Sequence, residues 1–332
     1  MHILAFGDPE GILQRRRRTV QKIIEKFSPE YVIFLGDYYS WNLPYYLKLK
    51  NYLKSGDFYD LFPEAKIIKD IKNKFNFVFV YGNKDVRPEV LRLRREKERL
   101  KPENFYFILD KYGEVEEFFV INGSDILPFP EKTSNPLYKQ FEEFDNEIKK
   151  LKEKYKVRRL KSIPKEELKK LRNKYKLPFL LLNYSYFYSL RFASRLRTNK
   201  EILLTHTPPY LKGEELIEGV YPDEAIYKVL HNGITPADPQ DPEAIKENVG
   251  NKYISRFILK NNIKLVFCGH IHEGSGIARI RETNTVVINP GSVSAFVNKE
   301  RIIPYVFVKI YENKIKIFLN SFYLKKEILL DI

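Results

Sequence analysis

Tyr31-Val32-Ile33-Phe34-Leu35-Gly36-Asp37 is a run of five strand-forming residues closed by a glycine and a carboxylate. The same design occurs on either side of it. Ile3-Leu4-Ala5-Phe6 runs into Gly7-Asp8, and Phe77-Val78-Phe79-Val80-Tyr81 runs into Gly82-Asn83. Helical periodicity fills the intervals, over about residues 14–27 and 59–74. Strand, glycine loop and helix in repetition predict a βαβ sheet, whose ligands bind beyond the carboxyl ends of its strands. Asp8, Asp37 and Asn83 are therefore expected on one edge of that sheet.

Further strands are expected at 105–109, 115–121, 202–205, 265–268, 276–280, 286–288, 305–310 and 314–318, and they read as short and antiparallel. Together they predict two sheets in one α/β sandwich with helices outside. A chain of 332 residues with 43% apolar and 30% charged residues can bury a core, which excludes a disordered protein. The one cysteine, Cys268, excludes a disulfide framework and a cysteine-based zinc site. No run of about 18 apolar residues is present, so no membrane-spanning helix is expected. The chain begins directly on a strand without a basic-then-apolar leader pattern, and a cytoplasmic location is expected. Abundant Lys, Glu, Ile and Tyr beside one Met and one Cys fit a heat-adapted or AT-rich source.

The polar residues at predicted strand ends form a set. Asp8 stands in Phe-Gly-Asp-Pro-Glu, Asp37 in Leu-Gly-Asp, Asn83 in Gly-Asn-Lys-Asp, His206 in Leu-Thr-His-Thr-Pro-Pro, and His270 and His272 in Cys-Gly-His-Ile-His. Singly, an Asp after a strand is most often a turn or helix-cap residue. As a set they are the carboxylate, amide and imidazole donors that hold divalent ions, and three of the five histidines sit in these loops. His2 and His231 read as structural or surface residues. Trp41 reads as either a packing anchor or a pocket wall.

In order and spacing this set resembles the calcineurin-like metallophosphoesterases, and in particular their Icc-like, archaeal-type branch. Leu204–Tyr210, Phe267–Glu273, Val287–Ser292 and Asn122-Gly123-Ser124 carry the likeness, which spans about residues 1–130 and 200–310. The resemblance implies a four-layer α/β/β/α sandwich of two mixed sheets formed by residues 1–130 and 201–332. It also implies two divalent metals bridged by Asp37. One metal would take Asp8, Asp37, His272 and the residue at position 10, and the other Asp37, Asn83, His206 and His270. The implied reaction is phosphodiester or phosphomonoester hydrolysis by a metal-bridging hydroxide, without a covalent enzyme intermediate.

Two departures bear on the chemistry. The family's Asp-x-His is Asp8-Pro9-Glu10 here, and a third carboxylate lowers the net charge of the centre. Lower charge favours harder ions, so Mn²⁺ is expected first, with Fe, Mg²⁺ or Zn²⁺ as alternatives. In Gly82-Asn83-Lys84-Asp85, Lys84 replaces the family's catalytic His, which the Icc-like branch itself often lacks. Lys84 and Asp85 are the expected catalytic residues, with Lys84 restoring the charge lost to Glu10. Asn248 stands where related sequences carry His before Val-Gly and is expected at the substrate. So are Arg15 and Arg18 of the Arg15–Arg18 run, cations that open a helix where anions are favoured.

Residues 131–200 break the rhythm as a helical, basic insertion. Between Lys149 and Lys200 stand 18 lysines and arginines against three glutamates, a local +15 that equals the net charge of the whole chain. Three glutamates cannot pair so many cations. With the aromatic run at 177–190, the insertion reads as a lid or a homo-oligomer contact, and next as a surface for anionic lipid or single-stranded nucleic acid. Alternative activities are therefore a nuclease or a lipid-linked pyrophosphate hydrolase, or a binding protein that keeps the fold with weakened catalysis.

Overall fold

The computed structural model describes residues 1–8, 16–36, 74–82, 85, 104–108, 112–122, 136–157, 162–175, 196–230, 233–236, 240–292, 302–321 and 325–332. The first sheet is built on β1 (His2–Phe6), β2 (Tyr31–Phe34), β3 (Asn76–Phe79) and β4 (Phe105–Phe107), all parallel. The last strands of the chain, β15 (Tyr305–Ile310), β16 (Lys314–Asn320) and β17 (Lys325–Asp331), join its other side antiparallel, with β15 against β1. The second sheet runs β5 (Tyr112–Val115), β6 (Phe118–Ile121), β7 (Ile202–Thr205), β12 (Leu265–Phe267), β14 (Thr285–Asn289), β13 (Gly276–Ile280) and β8 (Glu215–Gly219). A small third sheet pairs β9 (Glu224–Leu230) with β10 (Gly233–Pro236) and β11 (Ile245–Asn248).

The strand period of two sorts the apolar residues into layers. Ile3, Ala5, Ile33, Leu35, Val78 and Val80 of the first sheet meet Phe118, Val120, Leu204, Phe267 and Ile288 of the second in one buried core. On the outer face of the first sheet the rings of Phe6 and Phe34 stack at 5.5 Å, and those of Phe34 and Phe79 at 5.3 Å. Helix α1 (Arg17–Phe27) covers that face with Val20, Ile24 and Phe27 at helical spacing, and the Phe27 ring lies 4.5 Å from that of Phe307. The outer face of the second sheet packs on α4 (Lys252–Lys260), through buried Ile254, Phe257 and Ile258. Asn251 caps α4 by accepting from the backbone N–H groups of Tyr253 and Ile254, two donors the helix itself leaves unpaired. The order is helix, sheet, sheet, helix.

Several sequence expectations are corrected. The strands β4, β6, β7, β12 and β14, read as antiparallel, lie in parallel pairs. Both faces of β6, β7, β12 and β14 are buried, so they carry continuous apolar runs such as Leu265-Val266-Phe267, the pattern of an enclosed parallel strand. The single strand expected at 115–121 is a hairpin, β5 and β6, that turns at Glu116 with φ of 48°. β5, β8, β9, β10, β11 and β17 are additional to the expected strands; the half-exposed ones carry charges that mask the alternation. α1 starts at Arg17, while the helix expected at 59–74 lies outside the described residues.

Within 131–200, α2 (Pro136–Lys154) and α3 (Lys165–Tyr175) are described. Ile148, Ile163 and Leu171 are buried there. The Tyr155 hydroxyl donates to Glu167 Oε1 at 3.2 Å, and Lys174 pairs with Glu147. Among the described residues no helix is long and apolar enough to cross a membrane.

Candidate metal centre

Asp8 stands just beyond the end of β1, after Gly7, and is almost fully buried. Three contacts fix it: the backbone N–H of His270 donates to Oδ1 at 3.1 Å, the Ser292 hydroxyl donates to its carbonyl at 2.9 Å, and His272 Nε2 stands 3.1 Å from Oδ2. A β-carbon on Gly269 would come within 2.6 Å of Asp8 Oδ1, so only glycine lets the loop after β12 close over the carboxylate.

His206, the first residue after β7, is fully buried. Its Nδ1 lies 2.7 Å from the Leu35 carbonyl and 3.6 Å from Asp8 Oδ1. A carbonyl oxygen only accepts, so Nδ1 carries the hydrogen and Nε2 keeps the lone pair, the tautomer of a metal-ligating histidine. The His206 and His270 rings lie 4.9 Å apart at 58°. His270 has φ of 68° and stands in a tight loop in which the Ile271 N–H reaches the Gly269 carbonyl at 2.8 Å. His270 and His272 thus lie in the loop after β12, which turns through a left-handed residue. The donor types, one carboxylate and three imidazoles from the ends of three core strands, are those that take a divalent cation.

Asp37, Glu10, Asn83, Lys84 and Arg15 lie outside the described residues. The described residues that precede Asp37 and Asn83 come to this place. Gly36 has φ of +99°, and a β-carbon there would lie 2.6 Å from the Gly82 nitrogen and 2.7 Å from His206 Nδ1. The residues preceding Asp37 and Asn83 therefore touch each other and His206. Among the described residues no three His, Cys, Asp or Glu side chains suffice to hold an ion.

The remaining candidates are placed as follows. Asp85 is buried, and its Oδ2 accepts from the Gly82 N–H at 2.7 Å, closing the segment from Gly82 to Asp85. Arg18 is exposed on the first turn of α1, and Arg16 Nη1 donates to the Ile302 carbonyl. Asn248 ends β11 and donates from Nδ2 to Asp223 Oδ1 at 3.0 Å. His2 packs its ring edge-on against Phe307, and Cys268 is buried with its thiol, raised by burial, near the Ile288 carbonyl.

Sequence reasoning did not give roles to the residues that hold the centre together. Asn122 accepts from the Tyr81 N–H and donates to the Ile108 carbonyl, bracing the end of β3. Asn289 donates to the carbonyls of Pro222 and Ile271 and accepts from Gly291, tying down the loop of the two histidines. Both lie in runs already singled out. Asp223 does not, and no local pattern marks it, although its side chain is completely buried.

Comparison with solved structures gives low similarity over nearly full length. A dimetal phosphatase from Danio rerio has 11% identity and a TM-score of 0.48, covering 100% of this chain and 98% of that one. The protein TT1561 of Thermus thermophilus has 14% identity and a TM-score of 0.43, covering 99% and 98%. An archaeal phosphodiesterase has 11% identity and a TM-score of 0.32, covering 100% of both chains. No curated protein matches the chain. The family model of the calcineurin-like phosphoesterases matches residues 1–274, which include Asp8, His206, His270 and His272. With its two mixed sheets and these side chains gathered beyond the carboxyl ends of β1, β7 and β12, the chain is a phosphoric ester hydrolase that belongs to the calcineurin-like phosphoesterase family.

Proposed function

We propose that the chain is a dinuclear-metal phosphoesterase whose ions are held by Asp8, Glu10, Asp37 and His272 on one side and by Asp37, Asn83, His206 and His270 on the other. The observation that carries this reading is the convergence of Asp8, His206, His270 and His272, with the His206 tautomer set by the Leu35 carbonyl. Two divalent ions, Mn²⁺ by preference, supply Lewis acidity toward the phosphoryl oxygens and make water a nucleophile at neutral pH. Asp8 is held by the backbone of His270 and by Ser292, so little reorganisation accompanies ion binding. Asp85 closes the segment that carries Asn83 and Lys84. Lys84 contributes positive charge beside the phosphoryl group and offsets that of Glu10. Residues 131–200 form a basic segment over the site or toward a second copy, and the chain acts in the cytoplasm.

The test is hydrolysis of mono-aryl and bis-aryl phosphates with added Mn²⁺, wild type against Asp37→Asn. Turnover of one ester that the substitution abolishes is the expected result, and the preferred ester names the substrate class. Equal turnover by Asp37→Asn refutes the assignment of the bridge. Absent turnover with two equivalents of metal bound points instead to a binding protein on this fold.

A further inference from the structure

We propose that Asp223 is a positioning residue that fixes the amide of Asn248 with its carbonyl oxygen free, so that Asn248 accepts a hydrogen bond from an N–H or O–H donor on the organic part of the phosphate ester. This rests on phosphoester hydrolysis at the centre described above.

Asp223 lies in the β8–β9 connection and is fully buried against Leu211 and the residues just before α4. Its Oδ2 accepts from the N–H groups of Leu211 at 2.9 Å and Gly250 at 3.3 Å, and its Oδ1 accepts from Asn248 Nδ2 at 3.0 Å. Its own carbonyl accepts from the Val249 N–H at 2.9 Å. The surrounding backbone leads to both histidine loops. The Asn251 N–H donates to the Pro208 carbonyl, two residues past His206, at 2.8 Å. Asn289 bridges the Pro222 carbonyl at 3.1 Å and the Ile271 carbonyl, between His270 and His272, at 2.9 Å.

The choice of a carboxylate here has one consequence that an amide does not share. An asparagine at 223 would satisfy Leu211 and Gly250 with its single carbonyl oxygen, because both bonds fall on Oδ2. It would also bond Asn248, but by donating, which turns the Asn248 amide over. A carboxylate only accepts, so it compels Asn248 to offer its NH₂ inward. Burial is costly to such a group and pushes its carboxyl up to about 6. The Asn248 carbonyl oxygen has no hydrogen bond among the described residues. Phosphoryl oxygens are acceptors as well, so this oxygen reads the alcohol portion: a nucleoside or polyol rather than a bare alkyl or aryl group.

The experiment compares wild type, Asp223→Asn and Asp223→Asn/Asn248→Asp on two diesters with the same p-nitrophenyl leaving group. One is the thymidine monophosphate ester, which bears hydroxyl and imide donors, and the other is the methyl phosphate ester, which bears none. Asp223→Asn is expected to lower the ratio of kcat/KM for the thymidine over the methyl ester about tenfold, through KM, as for one hydrogen bond lost. The double variant again offers an acceptor at 248 and restores the ratio. An unchanged ratio in Asp223→Asn overturns the proposal. A second readout needs no turnover: the Asn248 side-chain NH₂ resonance, assigned by its loss in Asn248→Asp, shifts when Asp223 becomes Asn. If that resonance shifts while wild type cleaves neither ester, the phosphoesterase reading fails and the orientation stands. If it does not shift, the proposal fails whatever the activity.

Discussion

Replacing Asp223 by Asn should stabilise the protein at pH 8 and do nothing at pH 4. Its carboxyl moves from an ordinary 3.8 to about 6, mainly through desolvation, with the Leu211, Asn248 and Gly250 donors opposing. A raised carboxyl pKa means that the folded state holds a proton the unfolded chain has released. Its contribution to stability is whole below pH 3.8 and is lost as pH rises through about 6. The displacement of roughly two pKa units corresponds to about 3 kcal/mol lost by pH 8. Asn keeps one acceptor for Leu211 and Gly250 and never ionises, so it avoids this loss. For 332 residues, about 3 kcal/mol is a rise in Tm of roughly 4 °C at pH 8, narrowing to nothing near pH 4. Thermal unfolding of both proteins from pH 4 to 8 measures it. A variant less stable than wild type at pH 8, or a difference that ignores pH, refutes the reasoning.

Other substitutions probe other layers. Gly36→Ala sets a β-carbon at φ of +99° and within 2.8 Å of Gly82 backbone atoms and His206; Mn²⁺ binding by calorimetry should weaken at least tenfold, with a loss of about 1–3 kcal/mol in stability. Phe257→Ala empties the α4 contact whose ring stacks 4.8 Å from Phe119, and denaturant unfolding should show a loss of about 3–5 kcal/mol. Ser292→Ala leaves the buried Asp8 carbonyl without its hydroxyl donor; it should cost about 1–3 kcal/mol and raise KM or the metal dissociation constant, read by titration.

The layer order was legible because strand-then-glycine runs repeat at the start of the chain, and Leu35-Gly36 and Tyr81-Gly82 do meet beside His206. Strand direction was not legible. Leu203-Leu204 and Val266-Phe267 are apolar on both faces, and that pattern reports burial rather than pairing. The histidines were visible as residues but not as geometry: the loop of His270 depends on Asn289, about twenty residues further on, which donates to the Ile271 carbonyl. Asp223 stayed hidden because its partners, Leu211 and Asn248–Gly250, are distant in sequence and three of the four act only through backbone.

The position of β1 sets the order in which the protein can be completed during synthesis. It leaves the ribosome long before β15, yet it lies mid-sheet, between β2 and that strand. Until that strand leaves the ribosome, Leu4 and its neighbours present an open edge to any other nascent strand, a hazard for self-association. Asp8 also waits for Ser292, so a stalled or truncated chain cannot assemble the centre early. Hydrolytic capability thus arrives only after Ser292 has been made, and chains released short of β15 are the ones expected to aggregate.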